Sequence, residues 1–428
     1  MRAVVIALAD LGKSARMQYH ARALAASGVD VDLVGFEGTA LPRAILDDPG
    51  IAVHRLRPST RRYRETNSLT YAIVAAFDTL RVGLRLWRVL RRLVPPELVL
   101  LQNPPAFPTL AVAWFSLHRR NVRFVIDWHN LGYTVLRQRL GRWNPAVRLA
   151  RWYERRDARR VDANLCVSRG MALWLETKFD VPRPTVLYDR PASVFAPIER
   201  IERKRFRQAL FGRLGVRLGG NALIVCPTSW TEDEDFDLIV DAVNRLEDRI
   251  RGWEAAGGRR FTDIVILVTG DGARRTRFER LFAGLPARRV QLRTRWLEPE
   301  EYPRVVGSAD LGLCLHRSSS GLDIPMKVAD LFGAGVPVCA LDYGACLAER
   351  VRHSDNGLLF STGRQLSDIL FELFETFPAD QATLERLRTG ARRSARPTWD
   401  EGWARDAKPI LLGSGDAEAE TADKRRSS

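Results

Sequence analysis

No stretch of this 428-residue chain approaches 18 uninterrupted apolar residues, about the length a bilayer-spanning helix requires. The best candidate, residues 106–117 (AFPTLAVAWFSL), is a dozen long and is expected as a buried helix. The opening MRAVVIALAD is too short an apolar run, too soon interrupted, for a signal peptide. Cysteine is scarce: Cys166, Cys226, Cys314, Cys339 and Cys346 form no CxxC pair, and four of them lie in or beside strand-like apolar runs. An odd number without a framework argues against a secreted disulfide protein and for a reducing compartment. There is no His-rich ligand spacing and no DxD at a strand end, so no metal and no resident cofactor are expected. Lysine contributes only six of the 67 basic residues. RRM, KH, zinc-finger and helix-turn-helix patterns are missing, so no nucleic-acid partner is expected.

What is present is a globular composition, 46% hydrophobic and 9% aromatic, with a formal charge of +16. That balance favours polyanionic partners: nucleic acid, anionic lipid headgroups or phosphorylated substrates. Short buried runs alternate with helical ones. Val4–Leu8, a glycine turn, a helix over 14–26 and the run Val31–Gly35 have the order of a βαβ unit. Further strands are expected at 98–102, 124–127 and 163–167. A second series follows at 223–226, 264–269, 290–294, 311–315 and 336–340, with helices at 235–250 and 326–333. The expected fold is α/β: two Rossmann-like domains facing across a cleft. The first domain spans 1–195, a linker 196–220 and the second domain 221–395. A helix over 396–412 packs back, and 413–428 form a polar, disordered tail.

The candidate donor site centres on 318–337. Ser318, Ser319, Ser320 and Gly321 leave a strand and open a helix, which aims backbone N–H groups and a positive helix end at one point. Lys327 in the following first turn suits a diphosphate, and Asp330 on the same face suits ribose hydroxyls. Ordinary capping by Ser320 or Asp323 in a solvated loop explains the small residues equally well. Gly270 and Gly272 end another strand. Cys226-Pro-Thr-Ser229-Trp-Thr-Glu-Asp-Glu-Asp235-Phe is acidic, and its T-x-x-E run predicts a capping box from Thr231 to Glu234.

The continuation Asp330-Leu-Phe-Gly-Ala-Gly335-Val-Pro337-Val resembles the run that ends the donor site of GT-B glycosyltransferases. It departs at the first acidic position, eight residues earlier, where Leu322 stands with Asp323 one step late. Those departures match one subfamily. Segments similar to it are Gly12-Lys-Ser-Ala-Arg16-Met-Gln-Tyr19-His20, Leu101-Gln-Asn103-Pro-Pro105, Asp127-Trp-His129-Asn130-Leu-Gly132-Tyr133, Tyr188-Asp189-Arg-Pro191, Thr228-Ser-Trp-Thr-Glu-Asp-Glu-Asp-Phe236 and Ser318-Ser-Ser-Gly-Leu-Asp-Ile-Pro-Met-Lys327. The chain resembles the chitobiosyldiphosphodolichol β-mannosyltransferase family over roughly residues 1–405. The resemblance implies GDP-mannose as donor substrate, inversion at the sugar carbon, β-1,4 transfer and a polyprenyl-diphosphate-linked GlcNAc or chitobiose acceptor. A related GT-B enzyme with another sugar nucleotide or acceptor is the alternative, and a basic nucleic-acid-binding protein the outlying one. Eukaryotic members begin with an anchor helix, whereas this sequence opens at its first strand. It is therefore expected as a peripheral protein on the cytoplasmic side of a membrane, the endoplasmic reticulum in a eukaryote or the inner membrane in a bacterium.

The first domain is expected to face the acceptor, through Gly12, Arg16, Tyr19, His20 and Asn130. His129 or Asp127, at a strand's carboxyl end, supplies the base, and the sequence leaves the two open. Arg81, Arg85, Arg88 and Arg92 recur at helical spacing beside Trp87, with Val82, Leu86, Val89 and Leu93 on another face. A second basic run, 148–160, interleaves Trp152 and Tyr153. Both are expected on one face against anionic lipid.

Overall fold

The computed structural model describes every residue except 59–67, 119–120, 217–220, 232, 273, 286–287 and 414–428; for 68–76 it describes the backbone alone. The chain divides into two compact units, Met1–Tyr188 with Asp400–Ser428, and Asp189–Trp399. The expected disordered tail lies, beyond Gly413, outside the described residues.

The first unit is built on seven parallel strands: β1 (Arg2–Asp10), β2 (Asp30–Phe36), β3 (Ile51–Leu56), β4 (Leu98–Asn103), β5 (Arg123–Trp128), β6 (Ala163–Cys166) and β7 (Thr185–Val186). Their order is β3-β2-β1-β4-β5-β6-β7. The second unit repeats the plan with β8 (Ala222–Pro227), β9 (Ile264–Thr269), β10 (Val290–Arg295), β11 (Leu311–Cys314), β12 (Val338–Leu341) and β13 (Gly357–Phe360). Its order is β10-β9-β8-β11-β12-β13. Both are the doubly wound Rossmann order, in which the winding reverses once, at β1/β4 and at β8/β11. Val4, Val5 and Ile6 are fully buried, as are Leu223, Ile224 and Val225, because helices cover both faces of each sheet. Ile224 and Cys226 join one core of the second unit; Leu223 and Val225 join the other.

Strands β3, β7 and β13 went unread in the sequence. β3 carries His54 and Arg55 on a half-exposed edge, β7 has two residues and β13 four. Residues 196–220, expected as a linker, include a helix over Arg200–Arg213 whose Leu210 and Phe211 enter the core of the second unit. The helix over Trp399–Asp406 returns to the first unit, where Trp403 Nε1 donates to His20 Nδ1 at 3.0 Å. The helix expected to be buried at 106–117 runs over Thr109–Leu117 with only one face inside: Leu110, Ala113 and Leu117 are buried, while Phe115 is 75% exposed.

Candidate active site

In the second unit the winding reversal sets the loop after β8 beside the loop after β11, the place where open α/β sheets take ligands. The loop after β8 is locked by Glu234. Its Oε2 accepts from the Thr228 hydroxyl, from Ser229 N at 3.1 Å and from Thr231 N at 3.4 Å. Its Oε1 pairs with the Lys327 ammonium. Glu234 is buried, so an isolated charge there would be costly and the pairing offsets it. The predicted capping box forms only in part: Glu234 reaches back to Thr231 N, but the next helix starts further on, spanning Asp237–Ala255 without a side-chain cap.

The loop after β11 is fastened by His316. Its Nδ1 meets Asp233 Oδ2 and its Nε2 meets Asp323 Oδ2, both at 2.8 Å. Burial disfavours the charged ring, but hydrogen bonds to two carboxylates outweigh it and raise the pKa from 6.5 to about 9. His316 is therefore an imidazolium at neutral pH, donating from both nitrogens. Asp323 also accepts from the Ser318 hydroxyl, whose oxygen takes the Gly321 N–H at 2.7 Å. Ser320 Oγ accepts from Leu322 N at 3.1 Å. Gly321 has φ +76° and open space where a Cβ would lie.

Gly270 and Gly272 serve close backbone approach. A Cβ on Gly270, at φ +99°, would lie 1.9 Å from Thr228 O, and one on Gly272 2.3 Å from Ser229 O. The expected donor residues Ser229, Gly270, Gly272, Ser318, Ser320, Gly321, Asp323 and Lys327 thus form one bonded or contacting set; Ser319 lies half-buried in the same loop. Asp330, on the Met326–Gly333 helix, accepts from Tyr302 OH at 3.3 Å. Burial, helped by nearby Asp189, raises its pKa to about 7 against the hydrogen bond from Tyr302. Lys327 has three N–H donors, so one pairing leaves others for a ligand oxygen. Sequence reasoning missed Glu234 and His316 as parts of this set. The sequence signal for Glu234 was the acidic run in which it stands.

In the first unit Asp127, at the end of β5, is fully buried. Arg16 holds it bidentately, Nε to Oδ2 and Nη2 to Oδ1, each at 2.8 Å. His129 Nε2 reaches Oδ2 at 2.8 Å and His20 Nε2 at 3.2 Å. Burial pushes the Asp127 pKa up, but the Arg16 charge and the hydrogen bonds from Arg16 and His129 hold it well below the usual carboxylate range. Burial keeps His20 neutral against the pull of Asp127. An ionised carboxylate only accepts, so His129 donates from Nε2 and keeps the Nδ1 lone pair free of that bond. The His129 ring is 22% exposed.

Arg16 and His20, expected at the acceptor, are buried around Asp127. Gly12 is pressed on another loop, since a Cβ there would lie 2.4 Å from Thr39 O. Tyr19 is half-buried. Asn130 spends its Oδ1 on Leu131 N at 2.7 Å. Glu154, unremarked in the sequence, supports the 129–133 segment: its Oε1 accepts from Gly132 N at 2.7 Å and from Asn103 Nδ2 at 3.1 Å.

Two Rossmann-like units, each with a polar set at the carboxyl ends of its strands, define a GT-B glycosyltransferase. The model of the Glycosyl transferase 4-like domain matches residues 12–188, and that of Glycosyl transferases group 1 matches 221–375. Among solved structures, sucrose-phosphate synthase from Thermosynechococcus elongatus matches with TM-score 0.67 at 14% identity, over 99% of both chains. A Rickettsia africae glycosyltransferase matches with TM-score 0.64 at 13% identity, over 96% of this chain and 99% of that one. The chain belongs to the chitobiosyldiphosphodolichol β-mannosyltransferase family. It is 37% identical to the mouse enzyme of that name (95% of this chain, 88% of the other) and 35% to the human one (96% and 92%). It is also 36% identical to a protein named UDP-glycosyltransferase TURAN from Arabidopsis thaliana (96% and 97%).

Proposed function

We propose that this glycosyltransferase moves mannose from GDP-mannose, with inversion, onto the terminal GlcNAc of a polyprenyl-diphosphate-linked chitobiose. The observation that carries the reading is the partly exposed His129 ring hydrogen-bonded to the ionised, arginine-held Asp127. A single base suffices for an inverting displacement. His129 Nδ1 takes the proton of the attacking hydroxyl as the new bond to the sugar carbon forms. The bond from that carbon to the diphosphate breaks, and GDP leaves with its electrons. Asp127 orients the ring and stabilises the imidazolium, as the carboxylate of a hydrolase triad does. Lys327 and the helix end beside it face the growing charge of the leaving diphosphate. Since these groups are cationic side chains and amides, no metal is assigned a step.

The membrane reading belongs here too. The Ser68–Arg92 helix exposes Leu80, Leu84 and Trp87 beside Arg88 and Arg91, and the Pro145–Ala158 helix exposes Leu149 and Trp152. Apolar and aromatic groups among arginines suit an anionic lipid surface, with the protein peripheral on its cytoplasmic side. Among the described residues no helix is long and apolar enough to cross a membrane.

The relative named a UDP-glycosyltransferase gives a second reading, a UDP-sugar donor. The deciding experiment incubates the protein with synthetic phytanyl-diphosphate-chitobiose and either GDP-mannose or UDP-sugars. Transfer from GDP-mannose, with a β-linked product, is expected. Transfer from a UDP-sugar alone, or an α-linked product, overturns the proposal.

A further inference from the structure

A second cationic site lies at the opposite edge of the second unit's sheet. It is a groove of about 970 Å³ formed by the Arg200–Arg213 helix, the residues entering β8 and β11, and the helix over Ala382–Ser394. Six cations line it, Arg200, Arg203, Lys204, Arg207, Arg388 and Arg392, against two carboxylates, Asp310 and Glu385. The volume is that of a small-molecule site.

Asp310 carries most of the neutralisation. Its Oδ1 accepts from Arg203 Nη2 at 2.6 Å, Arg207 Nη1 at 3.1 Å and Arg388 Nη2 at 2.9 Å, while Oδ2 takes Leu223 N at 2.9 Å. One buried carboxylate thus faces three guanidiniums. Among the described residues Glu385 pairs with Arg388 alone. Arg203 shows the excess: burial, with Arg388 and Arg207 adding to it, lowers its pKa to about 10 even though Asp310 pulls the other way. Arg200, Lys204 and Arg392 are exposed and join none of the ion pairs among the described residues. The arrangement is a braced guanidinium floor with free cations at its rim, which is more positive charge than the protein balances itself.

The groove reaches Ala334 and Gly335, just past the end of the Met326–Gly333 helix. Lys327 stands in that helix's first turn, about 10 Å away by the rise of the intervening residues. The groove is therefore separate from the donor-side set and sits at the amino ends of the strands, where a Rossmann unit does not place its nucleotide.

We propose that this groove binds a clustered-phosphate anion, a diphosphate or a multiply phosphorylated headgroup. Planar guanidiniums that share one carboxylate keep further N–H donors for phosphate oxygens, and two or more phosphates match the uncompensated charge. The inference does not depend on which sugar nucleotide is the donor.

Isothermal titration of the full chain with inorganic pyrophosphate tests it, with flotation on phosphatidylcholine vesicles carrying a phosphoinositide as a second arm. The variant Arg200→Gln/Lys204→Gln/Arg392→Gln removes only rim cations that brace nothing, and an unchanged melting temperature confirms its fold. Should it melt lower, Lys204→Glu replaces it. Expected is pyrophosphate binding at least about tenfold weaker in the variant, with Lys327→Ala keeping this binding. If pyrophosphate binds the wild type too weakly to measure but the variant loses vesicle binding, the anion is a lipid headgroup. Binding on both probes that matches wild type, or pyrophosphate binding that only Lys327→Ala abolishes, overturns the proposal.

Discussion

Arg16 and Asp127, 111 residues apart, meet through two parallel 2.8 Å hydrogen bonds with both side chains buried. The pair fixes the carboxylate that His129 leans on.

Arg16→Leu leaves Asp127 as an under-compensated buried charge, and such truncations cost about 3–5 kcal/mol. Denaturant titration is expected to show a loss of that order. His129→Gln removes a ring at the edge of the same network, so its midpoint stays close to wild type. Its turnover is expected to fall by about 10²–10⁴, the worth of a general base. A His129→Gln protein with near-normal turnover would remove the base assignment.

His316 makes a pH statement. Its folded pKa, about 9, stands above its ordinary 6.5. The extra stability is fully present below pH 6.5 and is lost as the pH rises through 9. At about 1.4 kcal/mol per pH unit the loss is about 3 kcal/mol. Melting curves from pH 6 to 10 should show that decline in the wild type and a flatter profile in His316→Gln.

Lys327→Ala strands the buried Glu234. A stability loss of about 1–3 kcal/mol is expected, the cost of an unpaired buried group that keeps its other hydrogen bonds. Lys327→Met/Glu234→Gln should regain most of that stability and none of the turnover. Recovery of turnover in the double variant would show that Lys327 does not serve the leaving diphosphate.

Gly270→Ala forces a methyl to within 1.9 Å of Thr228 O at a φ that side chains avoid. The loops after β8 and β9 must then part. The melting temperature is expected to drop by several degrees, corresponding to about 2 kcal/mol or more, and KM for the donor to rise. A Gly270→Ala protein that melts with wild type contradicts the close approach.

Replacing Trp87 and Trp152 by serine removes exposed aromatic surface without touching the core. Flotation on anionic vesicles is expected to weaken, and wild-type binding to exceed that on neutral vesicles. Equal recovery on the two vesicle types would dismiss the arginine-and-aromatic face as a membrane contact.

Most of the fold was legible in the sequence, because buried parallel strands write themselves as short apolar runs. Val4–Leu8 and Ile264–Thr269 needed only local pattern, and the helix at Met326–Gly333 was read to the residue. The half-exposed β3 and the very short β7 and β13 lack that pattern and were missed. For the site, the small-residue loop and Lys327 were legible because they sit together in the chain. The capping box formed only in part, because Glu234 also holds Thr228 and Lys327 and the helix begins later, at Asp237.

The sequence alone determined the doubly wound class, the family and the loops at the carboxyl ends of the strands, since each is encoded within a few neighbouring residues. Only the tertiary structure decided which charges are spent. Asp127 on Arg16, Glu234 on Lys327, His316 between Asp233 and Asp323, and Asp310 under three arginines are partnerships between separate segments. Burial sets the physical rule: a charge removed from water must find its opposite, and packing alone determines where that opposite lies.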